Sequence, residues 1–193
     1  MSLARAGRRL LRGGRARWAL ALLALAALAA LRLRREAATR AAFPRHSPAA
    51  LAHFLADFAN QPRLHAHIGA WRVQREWRDA ACWHYAVQYE CGARCAGRAT
   101  VAACDGDART HGASRRHRVR LALRRCWRLP ALGWPLLCDH LETDSLITPL
   151  EGGGAQLEEQ ASARCGVLAT VAGRCDVRAL RLTHHTALRE LLG

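Results

Sequence analysis

The chain contains no lysine: all 30 basic residues are arginine, set against 15 acids. Alanine, leucine and glycine are abundant beside them, so the arginine richness reflects coding bias as much as functional demand. Serine occurs only at Ser2, Ser47, Ser114, Ser145 and Ser162. None stands in a nucleophile-elbow motif, which argues against a serine hydrolase. The one asparagine, Asn60, is followed by Gln-Pro and supplies no N-glycosylation acceptor. Paired Cys-x-x-Cys hooks are missing, and with them the usual structural zinc sites.

Charge is unevenly placed. Residues 1–45 hold 11 Arg and one acid, Glu36, for +10, whereas residues 46–193 hold 19 Arg and 14 acids, for +5. A nucleic-acid protein carries its basic excess on the folded part, so nucleic acid is not the expected partner. The 193 residues, 51% of them hydrophobic, suffice for one packed domain with extensions.

Eight cysteines are present, Cys82, Cys91, Cys95, Cys104, Cys126, Cys138, Cys165 and Cys175, all after the apolar leader. An even number at strand ends predicts disulfides formed in an oxidising compartment. Trp83, Tyr85, Val87 and Tyr89 alternate with His84, Ala86, Gln88 and Glu90, the period of a half-buried strand, and Ala99, Val101 and Ala103 repeat it more weakly. Gly92-Ala93-Arg94 between them suits a hairpin, in which Cys91 lies opposite Cys95 and Cys82 opposite Cys104. The nine-residue step puts these pairs on opposite faces and in opposite hydrogen-bonding classes, so closing both predicts distortion, and exchange with the other cysteines stays open.

Residues 1–17 form a basic segment without acids, and the apolar run Trp18–Leu31 follows. Residues 18–33 are expected to act as a signal-anchor in the membrane or as the core of a cleaved signal, with a mitochondrial leader as the alternative. Residues 34–46 read as a stalk. Ser47 with Pro48 opens an amphipathic helix over 47–60, with Leu51, Phe54, Leu55 and Phe58 on one stripe. Gly69–Arg78 reads as a strand with Trp71, Val73 and Trp77 on one side, and His117–Leu129 as another. Residues 139–193 read as an acidic, Gly-rich mobile connection with a C-terminal extension, fastened by Cys165 and Cys175.

The predicted fold is therefore α+β: one amphipathic helix on a four-stranded antiparallel sheet, disulfide-bonded, behind a signal-anchor helix. The helix 47–60, the Trp71 strand, the Cys82 hairpin and the spaced pair Cys104 and Cys126 resemble the cystatin-like superfamily over residues 47–138, closest to its latexin, cathelicidin and chemerin branches. The resemblance implies a disulfide between Cys104 and Cys126. The family's Gln-x-Val-x-Gly wedge against papain-like proteases has no counterpart, the turn here being Arg78-Asp79-Ala80-Ala81.

Asp105-Gly106-Asp107 has the Asp-x-Asp form of metal-dependent glycosyltransferases, but Asp-Gly is first a turn sequence, and the lumenal part is short for a nucleotide-sugar fold. His65-x-His67 and His184-His185 lack a third metal ligand at suitable spacing and read as surface histidines. The twin Cys-x8-Cys segments differ from helical twin-cysteine hairpins in step and in their strand-like alternation. Arg118, Arg120 and Arg124 share a strand face and form the candidate site for an anionic glycan or protein partner. The functional expectation is a non-enzymatic, cofactor-free, metal-free lumenal or extracellular binding module, membrane-tethered or secreted. The alternatives are a protease inhibitor of non-standard type, a mitochondrial inner-membrane assembly protein and a small Golgi transferase.

Overall fold

The computed structural model describes residues 17–21, 23, 24, 27, 31–79, 81–93, 95–105, 116–128, 135–171 and 175–192. The predicted hairpin forms. Strands β3 (Cys82–Glu90) and β4 (Cys95–Asp105) pair in unbroken register from Cys82 opposite Cys104 to Glu90 opposite Ala96. Gly92, at φ +111°, supplies the left-handed residue that the tight connection needs. Disulfides Cys82–Cys104 and Cys91–Cys95 both close, one on each face, without the predicted distortion of the ladder.

The sheet has seven antiparallel strands rather than four. Besides β3 and β4 it contains β1 (Arg32–Phe43), β2 (Trp71–Arg78), β5 (His117–Arg128), β6 (Pro135–Pro149) and β7 (Ala155–Gly166), in the spatial order β1-β7-β6-β5-β4-β3-β2. The expected stalk 34–46 largely belongs to β1, and the expected mobile connection 139–159 is β6, a turn and the start of β7. Both escape a hydrophobicity pattern because small or polar residues interrupt their inward rows: Thr39 and Ala41 precede Phe43 in β1, Thr143 and Ser145 separate Leu141 from Ile147 in β6, and Glu159 and Ala161 follow Leu157 in β7. Four disulfides form, the remaining two being Cys126–Cys138 between β5 and β6, and Cys165–Cys175. Cys104 therefore pairs with Cys82 and not with Cys126, and the four bridges indicate an oxidising, secretory or extracellular environment.

One face of the sheet is covered. Ser47 caps helix α1 (Pro48–Ala56), its Oγ accepting from Ala50 N at 3.2 Å, and α1 packs across β4, β5 and β6. Asp57 ends α1 before the expected Asn60. A 3₁₀ turn (Phe58–Asn60) and a short helix α2 (Gln61–Leu64) follow. Leu51, Leu55 and Phe58 from this segment, Tyr85, Val87 and Tyr89 from β3, Val119 and Leu121 from β5 and Leu157 from β7 make the core. Gly97 is required there. It lies opposite Tyr89, whose ring crosses it so closely that a Cβ at 97 would sit 2.0 Å from Tyr89 Cζ. Helix α4 (Val177–Leu192) buries Val177, Arg181, His184, His185 and Leu188.

The described chain divides into two compact units, Arg34–Arg164 with Asp176–Gly193, and Met1–Leu33 with Cys165–Cys175. The second holds a short helix α3 (Val167–Val171), a backbone bond from Val167 N to Leu31 O and the Cys165–Cys175 bridge. Among the described residues no helix is long and apolar enough to cross a membrane. This corrects the expected spanning helix over 18–33: residues 17–21, 23, 24 and 27 are helical, but Arg32 and Leu33 already belong to β1.

Candidate functional site

The face opposite α1 carries no described helix, and the strand register dictates what it displays. One row across the sheet reads Trp77, His84, Ala102, Arg120, Asp144, Gln160 from β2 to β7. The next reads Arg75, Ala86, Thr100, Ala122, Glu142, Ser162. The third reads Arg72, Gln88, Arg98, Arg124, His140, Arg164. Trp77 reaches this face, rather than joining Trp71 and Val73, because a bulge between Val73 and Arg75 shifts the register of β2. There its ring stacks on His84, centroids 5.2 Å apart, with the Arg75 guanidinium 4.5 Å from the indole.

Small residues in the first two rows leave a trough of about 710 Å³, floored by Ala38, Thr100, Ala102, Ala122 and Ser162. The charges at its edges are largely neutralised in pairs. Arg34 meets Glu36 at 2.7 Å, and His140 meets Glu142 at 2.7 Å. Asp144 accepts two bonds from Arg118, at 2.7 and 2.6 Å, and one from Arg120 at 3.2 Å. Although burial works against it, the Asp144 carboxyl stays below its ordinary range because Arg118 and Arg120 bind it. The Glu142 carboxyl is lowered chiefly by its bond to His140, with Arg164 among the nearby charges.

The predicted stripe thus separates into two parts. Arg118 and Arg120 share the single carboxylate of Asp144 on β6, which leaves the pair one net positive charge, while among the described residues Arg124 bonds only Cys138 Sγ, at 3.9 Å. Arg124 belongs instead to the third row, with Arg72, Arg98 and Arg164. Arg98 and Arg124 lie directly opposite each other, a like-charge pairing that is destabilising in the absence of an anion. All four arginines are exposed, and among the described residues none is in an ion pair. Arg72 reaches only the Gln88 amide, at 3.4 Å. No single strand contains this belt, so no motif search along the chain could have found it.

His65, His184 and His185 occupy the covered side, contrary to the surface reading, whereas His67 is exposed. His184 and His185 are buried on α4, and His65 stacks on His184 with centroids 5.2 Å apart. Beside them the buried Glu159 is gripped by both Nε and Nη2 of Arg181. Burial opposes ionisation of Glu159, but the His185 ring and the Arg181 guanidinium hold its carboxyl at about 2. Burial and the Arg181 charge lower His65 to about 4 and His184 to about 2, so both imidazoles are neutral at pH 7. The signal for their burial was the spacing of Arg181, His184, His185 and Leu188, which is a helical stripe written in polar residues. Elsewhere, atoms of Asp79, Cys82 and His84 lie within 4.8 Å of one another. Because Cys82 Sγ is bonded to Cys104, they offer two metal donors rather than three. Asp105 ends β4, and Gly106-Asp107 of the Asp-x-Asp sequence lie outside the described residues.

No family model matches this chain, and no curated protein matches it. Among solved structures it is similar to Mll3558 from Rhizobium loti, at 17% identity and TM-score 0.45, over 83% of this chain and 98% of that one. The hypothetical protein jhp0584 from Helicobacter pylori is 14% identical at TM-score 0.46, over 82% and 85%. An uncharacterised protein from Rhizobium leguminosarum is 12% identical at TM-score 0.42, over 84% and 97%.

Proposed function

We propose that the protein is a non-catalytic binding module of an oxidising, extracytoplasmic compartment, and that its ligand is an acidic polysaccharide lying across the open face of the sheet. The observation that carries this reading is the arginine belt. Arg72, Arg98, Arg124 and Arg164 stand in one row from β2 to β7 without carboxylate partners among the described residues. Five inter-strand steps of about 4.8 Å make the row about 24 Å long. That geometry suits an extended polymer with repeated negative groups better than a compact anion.

The trough beside the belt favours a glycan over a peptide. Backbone groups in the middle of a sheet are already paired, so a peptide laid across the face finds no ladder to join, and the floor offers no pockets for its side chains. Thr100, Ser162 and Gln160 offer hydroxyl and amide groups suited to sugar hydroxyls.

Retention on immobilised heparin tests the proposal. Replacing Arg98 and Arg124 by Gln should lower the salt needed for elution clearly more than replacing Arg63 and Arg189, two exposed arginines on α2 and α4, because the net charge change is the same and only the belt is lost. Equal shifts in the two double variants would mean that retention follows net charge alone, and the belt would cease to be a site.

A further inference from the structure

At the β2 end of the covered face, beyond α1, the sheet and the turn after that helix enclose a slot of about 200 Å³. It is independent of the belt and trough, which occupy the other face. Strand β2 contributes Trp71, Val73 and Glu76; β3 contributes Trp83 and Tyr85; the turn contributes Asp57 and Phe58. Trp71, Val73 and Trp83 are 38, 42 and 39% exposed, Trp71 at one end of the β2–β3 pairing, opposite Tyr89, and Trp83 at the other, opposite Arg78. Phe58 meets Trp71 edge-on at 5.6 Å, and Trp83 lies 4.8 Å from Tyr85, so aromatic surfaces stand at both ends of the slot.

The charge of the slot is the reverse of the chain's. In a protein with 30 arginines, no described arginine lines it, and among the described lining residues His53 alone is basic. Its carboxylates are Asp57, one oxygen of which caps Ala59 N at 2.9 Å, and Glu76, which has no hydrogen bond or ion pair among the described residues. Their field reaches the floor. Burial raises the Tyr85 hydroxyl to about 12, with the charges of Asp57 and Glu76 adding to the rise. That hydroxyl is itself committed, donating to Ala56 O and accepting from Phe58 N, so it serves as a fixed wall.

At the Trp83 end Glu76 lies opposite Tyr85, whose ring is 4.8 Å from that of Trp83, and an aromatic face beside a carboxylate is what an organic cation requires: ring quadrupoles attract a weakly hydrated ammonium, and a carboxylate fixes its charge. We infer that the Trp71–Trp83 slot binds an alkylated ammonium group. A metal ion is disfavoured because the slot walls are apolar and supply too few oxygen donors, and a neutral apolar ligand leaves Glu76 unmatched.

The test uses the full-length oxidised protein, with tetramethylammonium and choline followed by calorimetry and tryptophan fluorescence, against 3,3-dimethylbutanol as the neutral isostere of choline. Saturable binding is expected for both cations, at least tenfold tighter than for the isostere. It should weaken about tenfold in Glu76→Gln and in Trp83→Leu and be unchanged in Trp127→Leu, an exposed indole away from the slot. Glu76 lies on the exposed edge strand without partners, so its variant remains informative should Trp83→Leu fail to fold. Equal affinity for the isostere, no effect of Glu76→Gln, or no saturation at millimolar cation would overturn the inference. Where the cations bind, co-sedimentation with phosphatidylcholine vesicles that free choline competes away and Glu76→Gln weakens assigns the group to a lipid headgroup; no co-sedimentation assigns it to a free solute.

Discussion

Acidification should destabilise the protein well above the range in which carboxylates titrate. His65 and His184 are held neutral by burial and by the Arg181 charge, at about 4 and about 2, against an ordinary value of 6.5. His67 and Arg125 add to the positive field at His65 and His185 to that at His184, while Glu159 opposes it at both. Between pH 6.5 and each folded value the unfolded chain binds the proton and the folded chain does not. Stability is therefore complete above pH 6.5 and is lost as pH falls. At pH 4.5 the two imidazoles together contribute a loss on the order of 2–5 kcal/mol, relaxation around the protonated rings included. That is a large share of a domain's usual stability of about 5–15 kcal/mol. Glu159, depressed to about 2, acts in a second and lower window: its contribution is present above pH 4.5 and disappears as pH approaches 2. Urea unfolding monitored by circular dichroism from pH 7.5 to 4 measures the first window, and the His65→Gln/His184→Gln protein should show a flatter profile. A wild-type profile unchanged between pH 7 and 5 would refute the assignment of two neutral buried histidines.

Gly97→Val should destabilise by at least about 2 kcal/mol in urea titrations, because no shift smaller than moving the Tyr89 ring accommodates the new side chain. A loss below about 0.5 kcal/mol, the size expected at an ordinary surface position, would contradict the close approach. Replacing Cys82 and Cys104 by Ala should cost about 1.5 kcal/mol more than replacing Cys91 and Cys95, because the first bridge closes a separation of 22 residues and the second only 4. Equal midpoint shifts would show that local packing of the bridges outweighs loop closure.

The strands legible in the sequence are those whose inward positions carry large apolar groups. Tyr85, Val87 and Tyr89 announce β3, and Val119, Leu121 and Leu123 announce β5. Strands β1, β6 and β7 interrupt their inward apolar residues with Thr39, Thr143, Ser145, Glu159 and Ala161, so periodicity in hydrophobicity misses them, and the acids of β6 read as a mobile connection. Glu159 is tolerable inside only because Arg181 arrives from α4, a pairing between elements that no local pattern announces. Alternation alone puts Trp77 with Trp71 and Val73, because nothing at Gln74 marks the bulge: neither glycine nor proline stands there. Of the belt, spacing along one strand points to Arg124 alone. The same spacing groups Arg118 and Arg120 with it, whereas those two share Asp144 on the neighbouring strand.

The connectivity of the bridges bears on how the chain acquires them. Cys91–Cys95 is nested inside Cys82–Cys104, and Cys126–Cys138 and Cys165–Cys175 follow one after the other without interleaving. A chain entering an oxidising lumen from its N-terminus can therefore complete each bridge before the next pair arrives. The exception is the first hairpin, where joining cysteines in order of emergence would give Cys82–Cys91 and Cys95–Cys104. The nested arrangement requires β3 and β4 to align before the thiols react, so strand pairing must precede oxidation there, and an isomerase has work to do only if it does not.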